Sequence, residues 1–465
     1  MDELRDLADR AVTYAAGRGA AYCDVRAEES VSRTISIEDS NTEYIKERKD
    51  AGIGIRIAGE STWGFASISS PGSFAQLRQA VDSALEASAR KSKNKIRLCN
   101  VNVAESESIM PVLKAPEIES VMELGQDCSK IISDTPRIRK SAVSVLHMVM
   151  SRYFASSEGA KIMQNYTDLT MEMAATSHES GLTQSVNTTE GGRGGMEVLD
   201  NARAKAAEIS ARATELLDAR PAQMQKGTVV MDPDFVALLT HEIFGHPSEA
   251  DRVLGKEMAW AGGAWWKGMI GEEIASEALS VYDDPTIPGS LGCYNYDEEG
   301  VGTKKTALVR DGVLYGHMQS RETAAVFGVE PTGNMRAAGY GFMPLVRMAC
   351  TCIDRGDYTP EEMVREVRDG YLISGMKIPS IDMRRHNWSI SCQYAHKIKD
   401  GKIGEMLRDI IVSGTAPEFF KSVDACGNDF ATRPITNCGK GDPMQSLMMG
   451  NGGPSIRGVA TVRSI

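Results

Sequence analysis

The sequence predicts an α+β protein in two domains. An N-terminal α+β domain with an antiparallel sheet is expected over residues 1–221, and a β-rich C-terminal domain carrying a metal-binding helix over residues 222–465. Three observations predict this. The apolar period switches from helical spacing to two after the first segment. The polar stretch Pro221-Ala-Gln-Met-Gln-Lys-Gly227 parts the two halves. Two of only seven histidines fall in one six-residue window beside a carboxylate, behind an apolar helical stripe.

In order along the chain, Leu4, Leu7, Ala8, Ala11, Val12 and Ala15 share a helical face, and Gly17 follows where a C-terminal cap belongs. From Tyr22 to Ile68 the period is two. Ile35 and Ile37, then Ile53, Ile55 and Ile57, alternate with small or polar residues, as in an antiparallel meander. After Pro71, Phe74, Leu77, Val81 and Leu85 mark a second helix. Between about Ser141 and Thr189 short β-rich runs return, and the glycine run Gly191–Gly195 leads into an Ala-rich helix ending before Pro221. That run lacks the Lys-Ser/Thr of a phosphate loop, so it is expected to be a flexible turn. A new apolar strand starts at Thr228. After Phe327 the chain carries further short strand-like runs, a helix-like stretch near Pro360 to Gly370, and a Gly-rich C-terminus.

Composition narrows the function classes. At roughly 150 residues per domain, 465 residues suggest two or three domains. Hydrophobic residues at 42% and charged residues at 25% match a folded globular chain rather than a disordered one. The 63 acidic against 52 basic side chains leave a net charge of −11, which repels polyphosphate, so no direct nucleic-acid contact is expected. Nine cysteines form no even disulfide framework and are expected as reduced thiols of a cytoplasmic protein. The start, MDELRDLADRAV, lacks the basic and apolar regions of a signal peptide, and no window of 18 apolar residues occurs, so no membrane partner is expected.

The segment from Asp232 to Asp251 carries the chemistry. Asp232 suits an N-cap and Pro233 a first helical position, while Phe235, Val236, Leu238, Leu239 and Ile243 supply the apolar stripe. The helix delivers His241 and Glu242 near its end. Zinc-protease helices space their two histidines by four; here His241 and His246 are five apart. Five steps of an ideal α-helix make roughly 500°, which leaves the imidazoles about 140° apart, too far round to grip one ion. The regular helix must therefore break or widen. Gly245 tolerates unusual dihedrals and Pro247 disfavours helical geometry at His246, which together offer a way to bring the rings side by side. The bland alternative is two unrelated helix-end histidines.

Further motifs recur along the chain: Gly52-Ile-Gly-Ile-Arg56, Trp63-Gly-Phe-Ala66, His241-Glu-Ile-Phe-Gly-His246 with Glu249 and Asp251, Asp297-Glu-Glu-Gly300, Pro331-Thr-Gly-Asn-Met-Arg336 and Cys438-Gly-Lys-Gly441. In this ordered set the chain resembles the TldD/PmbA metallopeptidases, historically called modulators of DNA gyrase, over nearly its whole length. It looks like the catalytic, TldD-like type because the His-Glu-x-x-x-His residues are present. The resemblance implies a zinc (Zn2+) site made by His241, His246 and Cys438, with Glu242 as general base and a substrate-side loop around Asn334 and Arg336. It also implies a peptide substrate and a dimer, either a homodimer or a heterodimer with a metal-free paralogue.

Residue chemistry alone leaves rivals open. Catalytic zinc takes three protein ligands and keeps one position for water, and a thiolate suits the third ligand. Cys350 and Cys352 would face one way on a strand, yet an isolated pair reads more naturally as core thiols. His317, His386 and His396 stand alone. Asp297, Glu298 and Glu299 read as a solvated turn, with a cation site or an acidic rim as the alternatives. Arg336 is either a partner for a peptide carboxylate or part of an ion pair. Trp260, Trp265 and Trp266, set among glycines between Leu254 and Ile270, suit a lid, a dimer contact or simple packing. The expected function is a zinc-dependent peptidase acting on short or unfolded peptides. The alternatives are a non-catalytic regulatory module acting on a topoisomerase or other partner, and a purely structural zinc site with a fourth protein ligand.

Overall fold

The period-two segments become long strands, as their alternation requires. A computed structural model describes residues 1–93, 95–256 and 263–464. Its N-terminal half contains α1 (Asp2–Gly17), β1 (Tyr22–Glu38), β2 (Asn41–Ala58), β3 (Trp63–Ser69), α2 (Phe74–Ser88), β4 (Glu105–Ile109), α3 (Ile118–Ser133), β5 (Ile138–Ser156), β6 (Lys161–Glu179), β7 (Leu182–Arg193) and α4 (Ala202–Glu215). The strands form one sheet in the order β3-β2-β1-β5-β6, with β4 and β7 both on β6. All pairs are antiparallel except β4 with β6.

Alternation gives the sheet two unlike faces. On β1 the odd positions Cys23, Val25, Ala27, Ile35 and Ile37 are buried under helices. α1 and α2 cover one end with Leu7, Ala11, Leu77 and Val81. α3 and α4 cover the other with Val121, Cys128, Ala206 and Ile209. The even positions turn the opposite way and carry Asp24, Arg26, Glu28 and, further along, Ser36. That polar face meets the C-terminal half. The glycine run Gly191–Gly195 is not a flexible turn: β7 continues to Arg193, whose guanidinium pairs with Asp168 at 2.7 and 3.0 Å.

The seam between the halves is ionic. Arg56 lies opposite Asp24 in the β1–β2 register and bonds it at 2.7 Å, while reaching Glu299 at 3.1 Å. Arg152, opposite Glu28, bonds Glu298 at 2.7 Å, and Arg26 lies 3.6 Å from Glu298. A Cβ on Gly54 would lie 2.2 Å from the Tyr340 carbonyl oxygen, so only glycine permits the two backbones to approach there. Asp297, Glu298 and Glu299 are thus neither a solvated turn nor a rim. All three are buried, with Asp297 accepting backbone N–H groups of Glu299, Val301 and Met335 at 2.9 to 3.0 Å.

In the C-terminal half, β8 (Arg220–Pro221) is followed by β9 (Gln225–Met231) and α5 (Pro233–Thr240). β9 pairs with Asp369–Ile381 and with Ile456–Ser464; through Ile410–Thr415 and Asn387–Lys399 the pairing returns to Asp369–Ile381, closing a five-stranded ring. A second sheet ends in the strands Cys350–Ile353, Gln445–Gly453 and Ala431–Lys440. α5 is wedged between the ring and this second sheet, in the largest apolar cluster of the molecule. Phe235, Leu239 and Ile243 are fully buried there, each burial contributing about 1.5–3 kcal/mol. Among the described residues no helix is long and apolar enough to cross a membrane, and all nine cysteines are free thiols.

Candidate metal centre

The metal-site geometry starts at the N-cap of α5. The Asp232 carboxylate accepts the Phe235 N–H at 2.8 Å, and Pro233 occupies the first turn. After Thr240 the helix widens into a π turn over His241–Gly245, and the His246 N–H donates to the His241 carbonyl. That i→i+5 bond stacks residues five apart above one another, which an α-helix does not do. The two imidazole centroids lie 4.8 Å apart, nearly perpendicular at 79°. The expected means of bending is corrected in one respect. His246 keeps helical dihedrals, φ −58° and ψ −43°, and so does Gly245, φ −65° and ψ −63°. Gly245 is needed for space instead: a Cβ there would lie 1.9 Å from the Met348 sulfur. Pro247 ends the ladder because it has no N–H to donate.

Cys438 arrives from the strand Ala431–Lys440, 192 residues beyond His246, and places its sulfur 3.4 Å from His246 Nε2. The donor atoms of His241, His246 and Cys438 all lie within 4.8 Å of one another. Two ligands on one tetrahedral zinc stand about 3.5 Å apart given the usual bond lengths, so the cluster suits such an ion. The outer nitrogens are held as metal-binding imidazoles are held. His241 Nδ1 contacts Asn451 Oδ1 at 3.0 Å, and the Asn451 amide nitrogen donates to the Thr351 carbonyl at 3.2 Å, which fixes the amide orientation. His246 Nδ1 contacts Glu249 Oε2 at 3.1 Å. Both Nε2 atoms therefore face the thiol.

A buried charge set supports this arrangement. Burial opposes ionisation of Glu249, but Lys440 at 3.3 Å, then His246 and Arg252, outweigh it and hold its carboxyl well below the usual range. Lys440 also bonds Asp251 at 2.7 Å, tying the Cys438 strand to the segment after His246. Arg347 donates to the Cys438 carbonyl at 2.5 Å. Burial pushes the Cys438 thiol up, yet His241, His246 and Arg347 together bring it well below its ordinary value, which favours the thiolate form. Burial likewise lowers His241, and the Cys438 thiolate followed by Glu242 overcomes this, pushing it up to about 9. Two imidazoles and a thiolate converging on one point form a donor set for zinc or a similarly soft divalent ion.

The triad sits in a cavity of about 850 Å³ between the polar face of the N-terminal sheet and the C-terminal half. Ser36, Ser144 and Glu172 line one wall. Glu242 shares the other wall with the two histidines, and its carboxylate is paired with the Arg385 guanidinium. Ile378 and Met444 also line the cavity and are 71% and 60% exposed, so apolar surface is offered at its edge.

The remaining sequence candidates are placed elsewhere. Asn334 is bound into the scaffold, donating to Asp283 at 2.7 Å and to the Arg347 carbonyl at 3.1 Å. Arg336 donates to the Met348 and Met448 carbonyls at 2.6 and 2.9 Å. Neither lines the cavity. Cys350 and Cys352 are buried with their sulfurs 3.7 Å apart. Burial pushes His317 down to about 4, beside Phe327. Trp266 is fully buried and donates to the Pro247 carbonyl at 2.7 Å, so it packs under the site; Trp260 lies outside the described residues. Asn451, Arg347 and Arg385 were not legible as site residues, because each acts across more than ninety residues of chain and none carries a local motif.

Comparison with known proteins agrees with this picture. The model for the PmbA/TldA metallopeptidase C-terminal domain matches residues 224–459, and that for domain 1 of the same metallopeptidases matches residues 23–88. A metalloprotease of Methanothermobacter thermautotrophicus is 32% identical over 445 residues, 94% of either chain. A zinc metalloprotease TldD homolog of Saccharolobus solfataricus is 24% identical over 450 residues, 94% of this chain and 95% of its own length. Among solved structures, a protein from Thermotoga maritima described as a modulator of DNA gyrase superposes with a TM-score of 0.81 at 18% identity, covering 98% of this chain and 99% of the other. TldE from Thermococcus kodakarensis gives 0.79 at 16% identity, covering 98% and 100%. With the fold shared end to end and the sequence relatives matching nearly the full length, the chain belongs to the PmbA/TldD metallopeptidase family.

Proposed function

We propose that this protein is a zinc-dependent peptidase that hydrolyses short or unfolded peptides, with His241, His246 and Cys438 as ligands and Glu242 as general base. The observation that carries the reading is the convergence of three buried donor atoms within 4.8 Å on the wall of a cavity that also holds the Glu242 carboxylate. A zinc ion bound there supplies Lewis acidity for the scissile carbonyl and for the attacking water. The chain's own residues do the rest. Glu242, adjacent to a ligand in sequence and lining the same cavity, takes the water's proton and returns it to the leaving amine. Asn451 and Glu249 keep both imidazoles oriented with Nε2 inward. The sheet roof admits an extended chain, and the apolar edge at Ile378 and Met444 suits side chains that a folded protein keeps inside.

Glu242→Gln tests the role of the base. The variant is expected to retain its metal and lose hydrolysis of an unstructured reporter peptide by about 10²- to 10⁴-fold. Turnover like that of the parent protein would remove Glu242 from the mechanism. Loss of metal together with turnover would make it a ligand instead.

A further inference from the structure

The strands Asp369–Ile381 and Asn387–Lys399 are joined by a short turn over residues 382–386. Asp382 organises it, accepting the backbone N–H groups of Arg384, His386 and Asn387 at 2.9 to 3.0 Å. The Trp265 backbone N–H donates to the Arg384 carbonyl at 3.0 Å, anchoring the turn to the segment that packs under the site. Within this turn Arg385 has φ +63°, a left-handed conformation that glycine adopts freely and a long side chain does not. A strained arginine at such a position points to a task for its side chain. The guanidinium lies in the cavity wall, with Nη1 donating to Glu242 Oε2. Its Nε is buried and has no partner, so the edge of the guanidinium that grips carboxylates side-on is unused.

Resting on the peptidase reading above, we propose that Arg385 sets substrate specificity by receiving a carboxylate of the bound peptide and giving up Glu242 in exchange. The exchange does two things. A planar carboxylate takes the side-on edge of the guanidinium in two parallel N–H···O bonds, and by neutralising the guanidinium it loosens Nη1 from Glu242, which is then free to accept the proton of the attacking water. Peptides that bring a carboxylate to this point are therefore preferred in binding and in turnover. The carboxylate comes from an Asp or Glu side chain or from the peptide C-terminus.

Three versions of one unstructured peptide separate these sources: uncharged with an amidated C-terminus, uncharged with a free C-terminus, and amidated with one Asp. Zinc-loaded protein is expected to cut one or both carboxylate peptides about ten- to a hundredfold more efficiently than the neutral one, the range for a charge-assisted pair. Arg385→Gln should bring all three within about twofold, whereas loss of a merely structural arginine would slow all three together and keep their ratio. Arg385→Gly, which relieves the backbone, should behave alike, and Arg385→Lys should keep part of the preference. Binding of the same peptides by calorimetry is the second readout. Equal cleavage of all three peptides by the parent protein overturns the assignment and leaves the peptidase reading intact. If no peptide is cut, that reading fails and calorimetry decides: carboxylate-dependent binding lost in Arg385→Gln supports the assignment, and binding unchanged by the substitution overturns it.

Discussion

The seam beneath β1 and β5 and the metal centre at the end of α5 are both buried and both polar, and they differ in where their donor atoms point. In the seam each cation faces anions: Arg56 lies between Asp24 and Glu299, and Arg152 between Glu28 and Glu298. Charges taken out of water are repaid by charges opposite, and the cluster holds two halves of the chain together. In the metal centre the outer nitrogens of His241 and His246 are repaid by Asn451 and Glu249, while the inner nitrogens and the Cys438 sulfur aim at one another. The seam sets its charges against one another, although Arg56 Nη1, Arg152 Nε and Glu28 Oε1 make no hydrogen bond, whereas the metal centre gathers three donor atoms around one point. Asn334, whose amide is taken by Asp283 and a carbonyl, lies outside the cavity, whereas Arg385 lines it with its Nε unpartnered.

The sharpest way to break this comparison is at Cys438. If Cys438 is a ligand as proposed, the cobalt-loaded protein is expected to show a sulfur-to-metal charge-transfer band in the near ultraviolet, which a coordinating thiolate gives. Cys438→Ser should abolish that band and most metal binding. Cys350→Ser and Cys352→Ser should leave it unchanged, and a band that vanishes in either of them instead would move the centre to that pair. Next in size is Arg56→Ala, which leaves Asp24 and Glu299 buried without their cation. Denaturant titration should show a loss of about 3–5 kcal/mol with metal content unchanged under native conditions. An Arg56→Ala protein that is as stable as the parent but lacks metal would show that the seam belongs to the site. The smallest effect is expected at Asn451, whose oxygen contacts His241 Nδ1 and which stands outside the proposed ligand set. Asn451→Ala should weaken metal affinity by about ten- to a hundredfold in competition with a chromophoric chelator, and an unchanged affinity would remove Asn451 from the support of the centre.

Much of the local structure was legible because it depends on neighbours in sequence. The apolar alternation of Ile53, Ile55 and Ile57 and the Asp232-Pro233 start of α5 needed only propensity and pattern. The five-residue histidine spacing already excluded a regular α-helix, and the π turn is the resolution the chain adopts. Gly245 is required by Met348, a residue about a hundred positions away that no local pattern places beside it, and not by its own dihedrals. Asp297, Glu298 and Glu299 read as exposed for the same reason. Three consecutive acids look solvated until Arg56, Arg152 and the Met335 N–H are brought against them.

By itself the sequence determined many of the strands and helices, though not α3, β4 or the run of β7 through Gly191 and Gly192, and it placed His241, Glu242 and His246 at one helix end, because these follow from backbone periodicity and short-range sterics. Tertiary structure decided the rest. Strand pairing of Ala431–Lys440 with Gln445–Gly453, and of Cys350–Ile353 with the latter, carries Cys438, Asn451 and Arg347 to the end of α5. A hairpin from the five-stranded ring lays Arg385 on Glu242, and the polar face of the N-terminal sheet closes over them. These contacts join residues from about ninety to more than two hundred positions apart, where sheet register and packing, and not the pattern around any one residue, set which side chains meet.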